Sequence, residues 1–298
     1  MKILLTGKNG QVGFELQRAL SPLGTIHAVD VVDCDLSNEQ AIRQLVRQVC
    51  HDLIVNSAAY TAVDKAESEL ELACAINAEA PRIFGEEAAK LSAWVVHYST
   101  DYIFDGSKQG AYTESDATNP QNVYGLTKRD GEQALAKANP RHLILRTSWV
   151  VGAHAGNFAK TMLRLAADRE SINVVGDQFG APTSAALLAD ITAQLIRLQQ
   201  HEGTESFPYG TYHVVAGGET NWCDYARFVV TKAIKAGKPM RATPDNIKPI
   251  STAEYPTPAK RPANSRLDTS RFSKTFGLNL PPWQLGLEHI LEQILRTS

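Results

Sequence analysis

Tyr124-Gly125-Leu126-Thr127-Lys128 sets a phenol and an amine four residues apart. On a helix that spacing brings both side chains to one face. A free phenol titrates near ~10, too high for easy proton exchange at neutral pH, and a neighbouring ammonium lowers that value by favouring the phenolate. Such a pair is suited to giving a proton to a carbonyl oxygen as hydride reaches its carbon. Positioned acid assistance of this kind contributes about a hundredfold to ten-thousandfold. Upstream, Ser99-Thr100-Asp101 closes an apolar, strand-like run. Thr100 is read as a hydroxyl that bonds the same carbonyl, and Asp101 either binds a hydroxyl of the ligand or caps the following turn. Tyr124, Lys128 and Thr100 form the candidate catalytic set.

Tyrosine and lysine share many helix faces by accident, so the pair needs a second signal. It lies at the N-terminus, where Gly7-Lys8-Asn9-Gly10-Gln11-Val12-Gly13 joins a strand-like run to a helical one. In the G-x-x-G-x-x-G spacing, the first glycine permits a tight turn, the second a close approach to pyrophosphate, and the third close packing of helix on strand. Free N–H groups at the helix start then favour the phosphates. Gly7, Asn9, Gly10, Gln11 and Val12 are read as cofactor contacts. Asp30 ends the second strand and can accept from a ribose hydroxyl, which favours NADH; Lys8 could instead meet a 2′-phosphate, which favours NADPH. Both cofactors stay open. Asp35 and Leu36 are placed beside the adenine, and Ala58, Ala59, Tyr60, Thr61 and Tyr98 along the rest of the dinucleotide, with Tyr124 and Lys128 at its nicotinamide end.

The elements that must position these residues alternate. Strand signals cover 3–6, 25–30, 53–55, 93–98 and 143–146, and helix signals cover 12–20, a segment capped by Ser37 with Gln40 at the capping-box position, about 67–90 with a break near Pro81, and 124–138. Alternation of this kind implies an α/β fold with a doubly wound parallel sheet of the Rossmann type. The second half carries helices near 158–168, 185–198 and 224–236, a strand near 212–215, a Pro-rich stretch from Pro239 to Pro262 and two short terminal helices. We read 1–150, with about 185–208, as the dinucleotide-binding domain, and 151–184 with 209–298 as a smaller C-terminal α/β substrate lobe.

A formal net charge of −2 and the lack of a long basic run argue against nucleic acid as a partner. No apolar stretch approaches the roughly 18 residues of a membrane span. Cys34, Cys50, Cys74 and Cys223 are scattered and form no ligand set, so they read as buried free thiols of a cytoplasmic protein.

With these residues in place, the chain resembles the extended short-chain dehydrogenases and, within them, the dTDP-4-dehydrorhamnose reductase family. The resemblance rests on the glycine loop and on Asn56-Ser57-Ala58-Ala59-Tyr60-Thr61-Ala62-Val63-Asp64, Ser99-Thr100-Asp101-Tyr102-Ile103-Phe104-Asp105-Gly106, Asn122-Val123-Tyr124-Gly125-Leu126-Thr127-Lys128, Arg146-Thr147-Ser148-Trp149, Gly180-Ala181-Pro182-Thr183 and Arg261-Pro262-Ala263-Asn264-Ser265-Arg266-Leu267. It implies reduction of the C4 ketone of dTDP-4-dehydro-L-rhamnose for surface-polysaccharide precursors. Thr100, Asp101 and Trp149 would touch the dTDP-sugar. Arg261 would meet its diphosphate or form a surface ion pair, and Phe179 would stack on thymine or belong to the core. Some relatives are said to dimerise through a metal held by glutamates. Glu15 fits that pattern, but Ser184-Ala185-Ala186-Leu187 offers no carboxylate. No metal ligand is therefore assigned, Mg2+ stays open as a cofactor, and a homodimer is allowed. Two other classes compete: a non-catalytic regulatory subunit, as similar proteins are for methionine adenosyltransferase, and an epimerase or dehydratase on another nucleotide sugar.

Overall fold

The structure, a computed structural model, describes residues 1–297. The chain opens with β1 (Lys2–Thr6), α1 (Gln11–Leu20), β2 (Thr25–Val29), α2 (Glu39–Val49) and β3 (Leu53–Asn56). Two short helices, α3 (Val63–Ala66) and α4 (Leu70–Cys74), lead through a π-helical turn, Ala75–Glu79, into α5 (Ala80–Lys90). Then come β4 (Trp94–Thr100), α6 (Val123–Ala138) and β5 (His142–Thr147). The second half holds β6 (Val150–Val151), α7 (Phe158–Asp168), β7 (Ile172–Val175), β8 (Phe179–Gly180), β9 (Thr183–Ser184), α8 (Ala185–Glu202), β10 (Gly210–His213), β11 (Thr220–Asn221), α9 (Trp222–Lys235), β12 (Ile247–Ile250), α10 (Ser270–Phe276) and α11 (Trp283–Thr297).

Six strands form one parallel sheet in the order β10-β5-β4-β3-β1-β2. Alternate residues of each strand face opposite layers. Ile3 and Leu5 join Leu16 and Leu20 of α1 and Leu188 and Leu195 of α8, while Leu4 and Ile54 join Ile42, Val46, Ile83 and Phe84 of α2 and α5. The inner strands β1 and β3 are thus buried on both faces, which is why they read as apolar runs. The chain reverses direction across the sheet between β1 and β3, and ligands of such sheets bind at the carboxyl ends of the strands at that point.

A second core gathers α7, α9, α11 and β7 around Met162, Tyr225, Val229, Trp283 and Leu287. The strand near 212–215 does not belong to it. That segment is β10, residues 210–213, the sixth strand of the main sheet, paired with β5. Phe272 of α10 also packs into the sheet's core.

Five local expectations change. Asn38, not Ser37, caps α2, because the Asp35 carboxylate already takes the Ser37 N–H and hydroxyl at 2.9 and 2.8 Å. The helix passes Pro81 without a break. Pro81 sits in the first turn of α5, just after the π turn, where a missing N–H costs little. The Pro-rich stretch contains β12, whose Pro249 is tolerated in a two-stranded sheet with a free edge. The last helix is also longer than expected, at 15 residues. The thiols are all free, but Cys50 is exposed and Cys74 only half-buried.

Glu87 is the anchor between α2 and α5. Its carboxylate meets Arg43 and Arg47 at 2.6 Å and Lys90 at 2.7 Å, and these contacts hold it well below the usual carboxylate range, Arg47 first among them. Arg47 and Lys90 lie mostly in water, so Arg43 carries most of the weight. Glu87→Gln should lower the unfolding free energy by about 1–3 kcal/mol at neutral pH. Because the folded pKa is depressed, this stability is present above the unfolded value of 4.5 and fades as pH falls below it. Urea midpoints of the two proteins should converge in acid. Equal midpoints at neutral pH would refute the anchor.

Candidate active site

The glycine loop is built by close approach. Gly7 has φ of +72°, and a Cβ there would lie 2.9 Å from the Ala58 backbone. A Cβ on Gly13 would stand 1.9 Å from the Gly7 carbonyl oxygen. Gly10 precedes α1 and offers no side-chain cap, so the first N–H groups of the helix are left for an anion. Beside the loop a cavity of about 140 Å3 is lined by Thr6, Gly7, Asp30, Cys34, Leu36 and Ala59, among others. These features fit a dinucleotide: a backbone cradle that any side chain would fill, a positive helix end for its phosphates and an apolar slot for its adenine. Gly13→Ala should weaken dinucleotide binding at least about tenfold, since the new methyl must displace backbone rather than a side chain. A fluorescence titration checks this, and unchanged affinity would refute it.

Around that cavity the charges are already engaged. Asp30 accepts from the Asn9 N–H at 2.9 Å and from the Val31 N–H at 2.8 Å. Lys8 pairs with Asp33 at 2.7 Å. The Gln11 side chain turns to the lobe, accepting from Gly152 N–H at 2.7 Å and from Asn157 at 3.0 Å. Val12 packs on the core of the sheet. Asp35 is occupied by Ser37, while Ala58 and Leu36 stay on the cavity wall. The Tyr60 hydroxyl donates to Glu69 and its N–H to Asn77; Thr61 lies exposed beside it.

α6 carries Tyr124 and Lys128. Asn122 caps it, accepting from Gly125 N–H at 2.8 Å, and Glu67 accepts from Val123 N–H at 2.8 Å. The Tyr124 side chain lies beside Thr100, whose hydroxyl donates to Asp101 Oδ1 at 3.1 Å and accepts from Tyr102 N–H at 3.2 Å, and its ring meets Tyr102 edge-on at 5.5 Å. Lys128 is buried and donates to the Tyr98 carbonyl at 2.6 Å, with its Nζ 3.2 Å from His97 Nε2. The Tyr98 ring itself points into the sheet's core, where its hydroxyl meets Thr192, so only its carbonyl faces the site.

The electrostatics differ from the expectation drawn from spacing. Burial pushes the Tyr124 phenol up to about 12, with the neighbouring Thr100 acting the other way. Burial also brings the Lys128 ammonium down to about 8, with Glu132 acting the other way. The ammonium does not depress the phenol, because it is turned toward β4 while the phenol faces Thr100 and Asp101. Asp101 is likewise pushed up to about 6 by burial, opposed by Ser265 and Thr100. A neutral phenol is the donor form, which suits proton delivery.

At the carboxyl ends of β4 and β5, Ser99 Oγ, Asp101 Oδ2, Thr147 Oγ1 and Ser148 Oγ are buried without a partner in the chain. Buried polar atoms are normally satisfied, so this cluster is suited to a polar ligand. A cavity of about 360 Å3 continues from Ser148 between Val215–Glu219 and Ser265–Ser270. Trp149, at φ of +48°, stacks on Trp222 at 3.8 Å. Arg261 forms an ion pair with Asp64 at 2.8 Å. Phe179 is 38% exposed, with the Arg266 guanidinium 5.7 Å from its ring centre.

Several contributors escaped the sequence reading. Asn77, buried in the π turn, holds Tyr60 and reaches Thr127 of α6 at 3.2 Å. Its only signal was a polar residue on an otherwise apolar helical stretch. Asp64 and Ser265 lay inside the family motifs without an assigned role. The carboxylate opposite Glu15 is Asp190, beyond 184–187, and Arg18 bridges the two at 3.2 and 3.0 Å.

Comparison with known proteins shows the family. A family model described as "RmlD substrate binding domain" matches residues 1–296. The chain belongs to that family, and it is an oxidoreductase of it. It is 51% identical over 302 residues to dTDP-4-dehydrorhamnose reductase of Salmonella typhimurium, covering 100% of this chain and 99% of that one. It is 35% identical to a probable dTDP-4,6-dihydroxy-2-methyloxan-3-one 4-ketoreductase of Streptomyces antibioticus, covering 99% and 96% of the two chains. The fold superposes on the crystal structure of dTDP-4-dehydrorhamnose reductase from Bacillus anthracis in complex with NADP, with TM-score 0.89, 35% identity and 98% and 99% coverage. The two chains therefore share one fold over nearly their whole length.

Proposed function

We propose that this protein reduces the C4 ketone of dTDP-4-dehydro-L-rhamnose to the alcohol. The observation that carries the reading is a cluster of unpartnered buried oxygens beside Thr100 and Tyr124, at the sheet edge that also bears the glycine loop. NADPH or NADH, held by the loop from Gly7 to Val12, by Asp30, Asp35, Leu36 and by Ala58 to Thr61, supplies the hydride. Thr100 donates to the ketone oxygen and orients it. Tyr124 gives its proton to that oxygen as negative charge develops there. Lys128 holds a ribose hydroxyl and helps to return a proton to the phenol. Asp101 binds a sugar hydroxyl, Trp149 packs on the sugar, and Arg261 leaves Asp64 to meet the diphosphate.

In this reading the sheet layer, 1–150 with 185–213, serves the dinucleotide, and 151–184 with 214–297 serves the dTDP-sugar. No helix among the described residues is long and apolar enough to cross a membrane, and we place the enzyme in the cytoplasm, free or as a homodimer. The test is NADPH oxidation with dTDP-4-dehydro-L-rhamnose generated in situ, repeated with NADH and with added Mg2+. Consumption that depends on the sugar establishes the reaction. A protein that binds NADPH yet shows no sugar-dependent consumption contradicts it and favours a regulatory subunit. Protein purified with NAD already bound, and recycling it, favours an epimerase or dehydratase.

A further inference from the structure

His97 sits in β4 with no exposed surface and points toward α6. Its Nδ1 lies 3.0 Å from Asn56 Nδ2, and its Nε2 lies 3.2 Å from Lys128 Nζ. Asn56 Oδ1 in turn contacts Thr6 Oγ1 at 2.6 Å, and Thr6 Oγ1 accepts from the Ala58 N–H at 3.3 Å. One unbroken line of polar contacts thus crosses β1, β3 and β4. It starts at residues that wall the dinucleotide cavity and ends on Lys128.

The chemistry of this line is restrictive. Burial beside an ammonium keeps the imidazole neutral and its pKa well below the ordinary value. A neutral imidazole has one donor and one acceptor nitrogen. If Lys128 is an ammonium, Nε2 must accept, so Nδ1 carries the proton and Asn56 must present its oxygen. If Lys128 is a neutral amine, Nε2–H can donate to it, and Nδ1 accepts from the Asn56 amide N–H. The Thr6 hydroxyl serves either orientation of the amide, since it can donate or accept. The line therefore has two self-consistent hydrogen-bond registers, one for each charge state of the lysine. The other groups that act on this pair are the Tyr98 carbonyl of β4, Glu132 on the helix of Lys128, held by Arg146 of β5 with His213 behind it, and His142 at the start of β5, which acts on His97.

We propose that His97, oriented by Asn56 and Thr6, is a positioning residue for Lys128 that holds the amine against β4 and sets the balance between its charged and neutral forms. The functional part rests on the reading that Lys128 assists Tyr124; the coupling itself does not.

The first measurement uses the unmodified protein, labelled with nitrogen isotope in histidine only, with His97 assigned by comparison with His97→Gln. Between about pH 6 and about pH 10, the His97 nitrogen shifts should show a neutral ring throughout, with the proton on Nδ1 at the acid end and on Nε2 at the alkaline end. A ring that charges in this range, or one tautomer at both ends, overturns the proposal whether or not the protein turns over the sugar. The second measurement is the pH profile of kcat. In His97→Leu the alkaline limb should move down by about one unit, because the ammonium has lost an acceptor. In His97→Gln, which keeps an acceptor there, it should stay near the native position. A limb unmoved in His97→Leu, or moved equally in both, overturns the catalytic role. If His97→Leu yields no folded protein, Asn56→Ala is read in its place, and its limb must move in the same direction. Absence of turnover in the native protein would instead count against the reductase reading and leave the nitrogen shifts to decide the coupling.

Discussion

Tyr124→Phe should cut kcat by about a hundredfold to ten-thousandfold while leaving dinucleotide affinity within about twofold. The substitution removes one oxygen and little else. The ring keeps its edge-on contact with Tyr102 at 5.5 Å, and Asn122 still caps the helix. What is lost is the hydroxyl beside Thr100, the only phenol among the proposed catalytic residues. The phenol is pushed up to about 12 by burial, so it stays protonated across the neutral range. The native acidity profile should accordingly show no loss from phenol ionisation near neutrality. Any alkaline decline there belongs to the Lys128 ammonium, which burial brings down to about 8. The check is a steady-state assay beside a cofactor titration. Full activity in Tyr124→Phe would remove the proton donor from the mechanism, and a parallel loss of cofactor binding would mean that the variant reports on folding instead.

The largest stability effect is expected at Arg146. Its guanidinium donates to Glu132 at 3.0, 3.2 and 2.8 Å, with both side chains below a tenth exposed. It also lies 5.5 Å from the Phe104 ring centre. Arg146→Met should lower the unfolding free energy by about 3–5 kcal/mol, because it leaves a buried carboxylate with no cation. The Coulomb attraction of the intact pair is not the source of that number, since burying two charges costs about as much as their pairing returns. The double variant Arg146→Met with Glu132→Leu should therefore recover most of the loss. Urea unfolding of the three proteins decides it. A single variant within about 1 kcal/mol of the native protein would show that water reaches Glu132, and a double variant no better than the single would point to shape rather than charge.

Much of the site could be read from the chain alone because its logic is local. Gly7 and Gly13 act on backbone within a few residues, and the Tyr124–Lys128 face is fixed by helical periodicity. The alternation of apolar runs with helical ones was enough to specify a parallel sheet wound on both faces. Local rules failed where two short-range options were close in energy. Ser37 and Asn38 could each cap α2, and the choice went to Asn38 only because Asp35 had captured its neighbour. At Pro81 the π turn just before it let the helix continue.

The amino-acid sequence by itself determined the glycine cradle, the phenol–amine spacing and the doubly wound architecture, since each depends on residues a few positions apart. Only the tertiary structure decided where the ammonium points, which carboxylate faces Glu15, and that 210–213 is a strand of the main sheet. It alone brought His97 to Lys128 and Arg146 to Glu132. Those outcomes depend on which strands become neighbours and in what register. A parallel sheet joins strands through long crossovers, so no spacing along the chain reveals which side chains will meet across it.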